Sequence, residues 1–197
     1  MSLHKLALML SASIIGITTW AATAVADQLR GSYGFTRTSS CVVSTLPFDA
    51  NFQATGPAFG DSLVEEGIRT FNGDGTGTQS STALTLTIPA LTPSAGSSSF
   101  TSSFTYTTGD DTWAIAGGGS ISGSINAGPR AGQTFKVTNL APVTGRISKR
   151  GLILTADVVK PTVEVVTYYV GTVLVATYNR VCNRSTVLMQ LDDDGVN

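Results

Sequence analysis

Short segments in which apolar and polar residues alternate run through most of the chain, with turn-favouring residues between them roughly every eight to twelve positions. No long stretch shows the period of an amphipathic helix. In the clearest case, residues 62–71 and 75–88 flank Asn72-Gly73-Asp74-Gly75, whose residues tolerate the positive φ of a tight hairpin turn. This alternation restricts the chain to an all-β fold.

About nine or ten strands are predicted by this pattern. A strand with one apolar face is expected at residues 48–55, and the longest hairpin joins 162–170 to 173–182. A short last strand is expected at 186–191. The Pro/Ser/Gly-rich residues 89–99 predict a mobile loop, and Gly117-Gly118-Gly119 predicts either a tight turn or a flexible joint.

The first 26 residues have the pattern of a cleaved secretory signal. His4 and Lys5 precede an apolar run over residues 6–17, and Ala24-Val25-Ala26 fits a small-residue cleavage site. Polar residues interrupt the run and no basic cluster follows it, which argues against a transmembrane anchor. We therefore expect a secreted or periplasmic protein with no stable membrane span after signal removal, a single domain over residues 27–191 and a disordered acidic tail at 192–197.

Two cysteines, Cys41 and Cys182, lie near the two ends of the predicted mature chain. In an oxidising compartment an even number of cysteines favours a disulfide, the alternative being two unrelated buried thiols. A Cys41–Cys182 bridge requires the beginning and the end of the fold to be neighbours. Because many antiparallel strands must also protect their edges, the sequence predicts a single antiparallel β-barrel of about eight to ten strands, with a β-sandwich as the alternative.

Composition excludes several classes of function. Charged residues make up only 13% of the chain, with 12 basic against 13 acidic, so there is no basic stripe for nucleic acid. The one histidine, His4, lies in the predicted signal. A Ser-His-Asp triad, a Cys-His dyad and a typical zinc site are therefore not expected in the mature chain, and the sequence indicates no metal or cofactor.

The strand Gly31-Ser32-Tyr33-Gly34-Phe35, together with Arg180 or Arg184 late in the chain, resembles the calycin (lipocalin-like) pattern. In that superfamily an early Gly-x-Trp strand packs beneath an arginine of the last barrel strand, and here Tyr33 takes the position of the tryptophan. With residues 70–77 and the Arg180/Cys182/Arg184 end, the chain is also similar to small secreted bacterial barrels of the allene-oxide-cyclase-like type. The resemblance implies an eight-stranded barrel around an apolar cavity that binds a small hydrophobic molecule or cyclises one.

Aromatic residues in the predicted strands are suited either to a packed core or to the lining of such a cavity. The candidate ligand-binding residues are Tyr33, Tyr106, Trp113, Tyr168 and Arg180. No catalytic residue is assigned. Glu65 and Glu66 are adjacent, so on a strand they face opposite sides and cannot act together.

Three functions remain open on the sequence. The first is an exported barrel that binds a small apolar molecule inside. The second is a barrel-type cyclase or isomerase, which would require at least an inward-facing Glu, Tyr or Arg. The third is a structural or adhesive surface protein. Association into a homo-oligomer is compatible with all three.

Overall fold

The computed structural model of the protein describes residues 29–88 and 92–191. The predicted signal and the predicted acidic tail lie outside the described residues. Within them the fold is all-β, a single antiparallel sheet of eleven strands. These are β1 (Arg30–Ser44), β2 (Ala58–Asn72), β3 (Thr76–Ile88), β4 (Ser94–Thr108), β5 (Thr112–Ile115), β6 (Ser120–Ala127), β7 (Thr134–Thr138), β8 (Val143–Ile147), β9 (Ile153–Val158), β10 (Glu164–Val170) and β11 (Val173–Gln190).

The sheet closes on itself because β1 pairs with both β2 and β11. Five long strands, β1 to β4 and β11, form one side of the resulting barrel. On the other side, each of three wall positions holds two short strands in succession: β5 then β6, β7 then β8, and β9 then β10. β4 accordingly pairs with β5 through its last residues and with β6 through earlier ones, and β11 pairs with both β10 and β9. Eleven strands thus fill eight positions around the barrel. The single antiparallel sheet that closes on itself is confirmed, but it has more strands than the eight to ten predicted, because three of its positions are divided between two strands.

The three interruptions occur at the same height in the wall, at residues 116–119, 139–142 and 159–163, and we call them the belt. Glycines in the first segment and prolines in the other two weaken strand pairing there. The first two segments bond to each other, since Gly118 N donates to Leu140 O at 2.8 Å and Leu140 N donates to Gly119 O at 3.2 Å. Asn139, at φ 56°, joins the second segment to the third by donating from Nδ2 to Val163 O at 2.7 Å. The triple-glycine segment is therefore a joint between two strands and not a hairpin turn.

An aromatic cluster fills one end of the barrel, and we call it the floor. Its centre is Phe71, whose ring makes edge contacts with Tyr33, Tyr106 and Trp113 at centroid distances of 5.4, 4.9 and 5.6 Å. Edge-to-face aromatic pairs of this kind stabilise a core beyond their buried area. The other buried members are Leu29, Phe35, Leu154, Ala156 and Leu188.

The disulfide between Cys41 and Cys182 is confirmed. The two residues are direct partners in the register of β1 and β11, with Cα atoms 4.1 Å apart. The covalent bond therefore crosses the one strand pair that joins the beginning of the barrel to its end.

Three local predictions were wrong. Residues 48–55 form a loop with one isolated bridge, between Phe48 and Ala54, because Asp49 Oδ1 accepts the backbone N–H groups of Asn51 and Gln53 and so stabilises a turn. The predicted last strand, 186–191, is the continuation of β11. In the predicted loop at 89–99, positions 89–91 lie outside the described residues, and from Ser94 onwards the segment belongs to β4, where it pairs with β3.

Candidate ligand-binding cavity

A cavity of about 680 Å³ occupies the barrel interior. None of the nine buried floor residues lines it. Small-molecule sites in proteins measure roughly 300–1,000 Å³ and have mainly apolar walls with a few polar groups. The cavity therefore has a size suited to a small molecule.

The lining differs between the two sides of the barrel. Where the wall consists of short strands and β4, the large side chains are mainly apolar, although β4 also contributes Ser98 and Ser102. The main apolar contributors are Phe100, Phe104, Ile121, Phe135, Val137 and Val166. Where it consists of β1, β2 and β11, it carries charged side chains: Arg37, Asp61, Glu65, Arg69, Arg180 and Arg184. The cavity is therefore amphipathic, with one apolar face and one charged face.

Glu164, the first residue of β10, is fully buried beside the belt. Arg184 donates to both of its carboxylate oxygens at 2.6 and 2.5 Å, and Arg180 Nε donates at 2.9 Å. The backbone N–H of Ala141, which no strand partner takes, donates to Oε1 at 3.2 Å. Burial raises the pKa of Glu164, but the hydrogen bonds and charges of the two arginines outweigh it and the pKa falls to about 2. Glu164 is thus an anion that holds two arginines and one belt amide.

A second network of hydrogen-bonded polar side chains extends from β1 through β2 to β3. Arg37 Nη1 donates to Glu65 Oε2 at 3.1 Å, and Gln79 Nε2 donates to Glu65 Oε1 at 2.9 Å. The amide oxygen of Gln79 in turn accepts from Arg69, through Nε at 3.0 Å and also through Nη2. Glu65 therefore has a partner on each carboxylate oxygen.

Three of the predicted ligand-binding residues, Tyr33, Tyr106 and Trp113, lie in the floor and not on the cavity. Each satisfies its polar atom with a backbone carbonyl, at Gly151 (3.0 Å), Leu29 (2.7 Å) and Thr155 (3.1 Å) respectively. Satisfied donors of this kind are typical of aromatic residues in a core.

The other two predicted residues, Tyr168 and Arg180, line the cavity. Burial raises the pKa of Tyr168. Its ring stands 6.0 Å from that of Tyr178, and the guanidinium of Arg130 lies 4.5 Å from the Tyr168 ring centroid. Arg130 also donates to the Tyr178 hydroxyl at 2.6 Å. The β6–β7 turn thus supplies a cation that packs on two tyrosines far from the floor.

Two arginines pack against floor aromatics. The guanidinium carbon of Arg37 lies 5.6 Å from the ring centroid of Phe35, and Arg69 of β2 contacts more than one ring. Its guanidinium carbon lies 5.3 Å from the ring centroid of Phe35 and 5.6 Å from that of Trp113. Arg180 and Arg184, the two arginines of the calycin-like resemblance, pair in register with Val43 and Ser39 of β1, and Tyr33 pairs with Gln190.

Sequence reasoning missed most of the interior charges, although a signal for some of them was present. On β2, Asp61, Glu65 and Arg69 occupy the same face as Leu63 and Phe71, because inward positions alternate. Glu65 is buried while Glu66 is exposed, as the alternation predicts. For Glu164, at the start of its strand, the sequence carries no comparable signal.

In the part of the chain that the structure describes, no group of three or more His, Cys, Asp or Glu side chains could hold a metal ion. Among the same residues, no helix is long and apolar enough to cross a membrane. The chain matches no protein-family model and no curated protein.

Proposed function

We propose that this protein is an exported barrel that binds a small, largely apolar molecule in its interior. The observation that carries the proposal is the cavity of about 680 Å³, one side of which is lined mainly by apolar side chains. A barrel filled solidly by side chains would have left no room for a ligand. The disulfide is compatible with a protein outside the cytoplasm, as export requires.

Native mass spectrometry of the oxidised protein, purified from the cells that produce it, tests the proposal most directly. A discrete additional mass of a small organic molecule is the expected result. A bare protein that is mainly oligomeric would favour a structural or adhesive role instead.

A pair of variants on β3 tests whether binding takes place inside. Thr85 lines the cavity, whereas Thr82 is exposed on the outer face of the same strand. Thr85→Phe should therefore weaken binding of a neutral apolar fluorophore such as N-phenylnaphthylamine, while Thr82→Phe leaves it unchanged. Equal binding by both variants would place the fluorophore elsewhere and contradict the proposal.

The cyclase alternative meets its minimum requirement, since glutamates and arginines do face inward. However, both carboxylate oxygens of Glu65 and of Glu164 are already bonded to protein donors. A carboxylate with a pKa of about 2, such as Glu164, is also a weak base at neutral pH. Among the residues that the structure describes, no contact in the cavity favours catalysis over binding.

A further inference from the structure

The arginines on the cavity are not equally matched by carboxylates. Arg37 pairs with Glu65, and Arg180 and Arg184 share Glu164. Among the described residues, no carboxylate lies within ion-pair distance of Arg69. Its protein hydrogen bonds go to a neutral acceptor, the amide oxygen of Gln79.

Arg69 is nevertheless almost completely buried, with 2% of its surface exposed. Burial lowers the pKa of Arg69 to about 9, the nearby charge of Arg37 adds to this effect and the charge of Glu65 opposes it, so the group is still a cation at neutral pH. A buried charge without an opposite charge is costly and rare in native structures. The rings of Phe35, Phe104 and Trp113 and the charge of Glu65 compensate part of this cost, but no anion in the described part of the chain contacts the guanidinium directly.

One nitrogen of the Arg69 guanidinium, Nη1, has no acceptor for its hydrogen bonds. Nε and Nη2 bond to Gln79, whose own amide group is held by Glu65. Nη1 is buried and has no hydrogen-bond partner. Gln79 thus fixes one edge of the guanidinium and leaves the other without an acceptor.

Arg69 also stands at the boundary between the two faces of the cavity. It lines the cavity together with Phe104, whose ring centroid lies 5.4 Å from the guanidinium carbon. Phe100 lies on the same inward face of β4, beyond Ser102, and packs against Phe135 with ring centroids 6.1 Å apart. A molecule with an acidic group at Arg69 would therefore have an apolar surface along which to extend.

We propose that the ligand is an amphipathic carboxylate whose acid group pairs with the guanidinium of Arg69 and whose apolar part lies against Phe104, Phe100 and Phe135. This inference rests on the proposed function, because it names the chemical class of the molecule that the cavity binds. Charge-assisted hydrogen bonds from arginine to carboxylate are among the stronger polar contacts in proteins.

The test compares dodecanoate with dodecan-1-ol, which share an apolar chain and differ in the head group. Each displaces N-phenylnaphthylamine from the oxidised protein, and the apparent affinities are compared. We expect dodecanoate to bind roughly tenfold or more tightly, the size of effect typical of a hydrogen bond to a charged group. Arg69→Met should abolish this preference, whereas Arg146→Met, at an exposed arginine, should retain it.

A spectroscopic measurement on the unaltered protein covers the case in which Arg69→Met does not fold. With dodecanoate labelled at its carboxyl carbon, the NMR shift of the bound acid is followed as the pH is lowered. Pairing with Arg69 should keep the bound carboxyl ionised to a lower pH than the free acid.

The outcomes separate the two proposals. If neither compound displaces the fluorophore, the proposed function fails for this class of ligand and the inference fails with it. If both bind equally well, or if the bound carboxyl titrates like the free acid, interior binding stands and the carboxylate site at Arg69 is overturned.

Discussion

Glu164 Oε1, at the start of β10, accepts a hydrogen bond at 3.2 Å from the backbone N–H of Ala141, which lies in one of the three segments that interrupt the barrel wall. A side chain therefore supplies an acceptor where the ladder of backbone hydrogen bonds is broken. The same carboxylate binds Arg180 and Arg184 of β11. The carboxylate of Glu164 thus links the belt to β11, the strand that closes the barrel by pairing with β1.

Replacing this anion should destabilise the fold. Glu164→Gln leaves two largely buried arginines without their carboxylate, and breaking a buried ion pair from one side typically costs about 3–5 kcal/mol. Urea unfolding monitored by tryptophan fluorescence gives the free energy of unfolding. Glu66→Gln, on the exposed face of β2, is the control and should leave it nearly unchanged.

Because of Glu164, the free energy of unfolding should also decrease as the pH is lowered. Its pKa is lowered in the folded state to about 2 from an ordinary value of 4.5, so its contribution is present above the ordinary value and is lost as the pH falls from about 5 towards 2. Asp61, whose pKa burial raises, contributes in the opposite direction. The comparison is therefore between the unaltered protein and Glu164→Gln. The variant should show a weaker loss of stability on acidification, and parallel pH profiles would contradict the assignment.

Reduction of the Cys41–Cys182 disulfide should lower the melting temperature. The bridge closes nearly the whole described sheet into one loop, and chain-entropy arguments give a stabilisation of about 5 kcal/mol for a loop of this length. For a domain of this size that corresponds to a decrease of about 10 °C or more. Calorimetry with and without reductant measures it, and a Cys41→Ser/Cys182→Ser double variant should melt at the lower temperature under both conditions.

A methyl group at Gly145 should damage the floor. A Cβ there would overlap the carbonyl oxygen of Thr155 and lie 2.5 Å from Nε1 of Trp113, the donor that binds this carbonyl. Gly145→Ala should therefore destabilise the protein by about 1–3 kcal/mol or more. Gly60→Ala is the matched control, because a Cβ at that strand position meets no atom within 4 Å. Equal unfolding free energies for the two variants would show that the floor adapts.

The closed barrel could be predicted because its determinants are local or covalent. Asn72-Gly73-Asp74-Gly75 indicated the β2–β3 hairpin, and Cys41 with Cys182 indicated which strands meet at the closure. β8 was missed, because its five residues, Val143–Ile147, follow a proline and include a glycine. The alignment of the three interruptions at one height depends on strand register, which one sequence does not specify.

The candidate site was predicted only in part. Tyr168 and Arg180 reach the cavity, whereas Tyr33, Tyr106 and Trp113 pack in the floor. From sequence, an inward aromatic residue near a barrel end is indistinguishable from one in the middle, since both have the same alternation. Whether such a residue packs in the floor or lines the cavity depends on its position along the barrel axis. That position is set by strand pairings between residues that are distant in sequence.

The belt also determines where this barrel can change shape. A long strand with hydrogen-bonded neighbours on both sides resists bending, so the side made of β1 to β4 and β11 is stiff. On the opposite side, the strands are interrupted at residues 116–119, 139–142 and 159–163. These three segments lie side by side around the barrel and can act as hinges. We expect fluctuations of the barrel to be largest there. The short strands β5, β8 and β9 pair with each other, as do β6, β7 and β10, so the two groups can tilt against each other without breaking hydrogen bonds within either group. We therefore expect any change in the interior volume to take place at this wall, while β1 to β4 keep their positions.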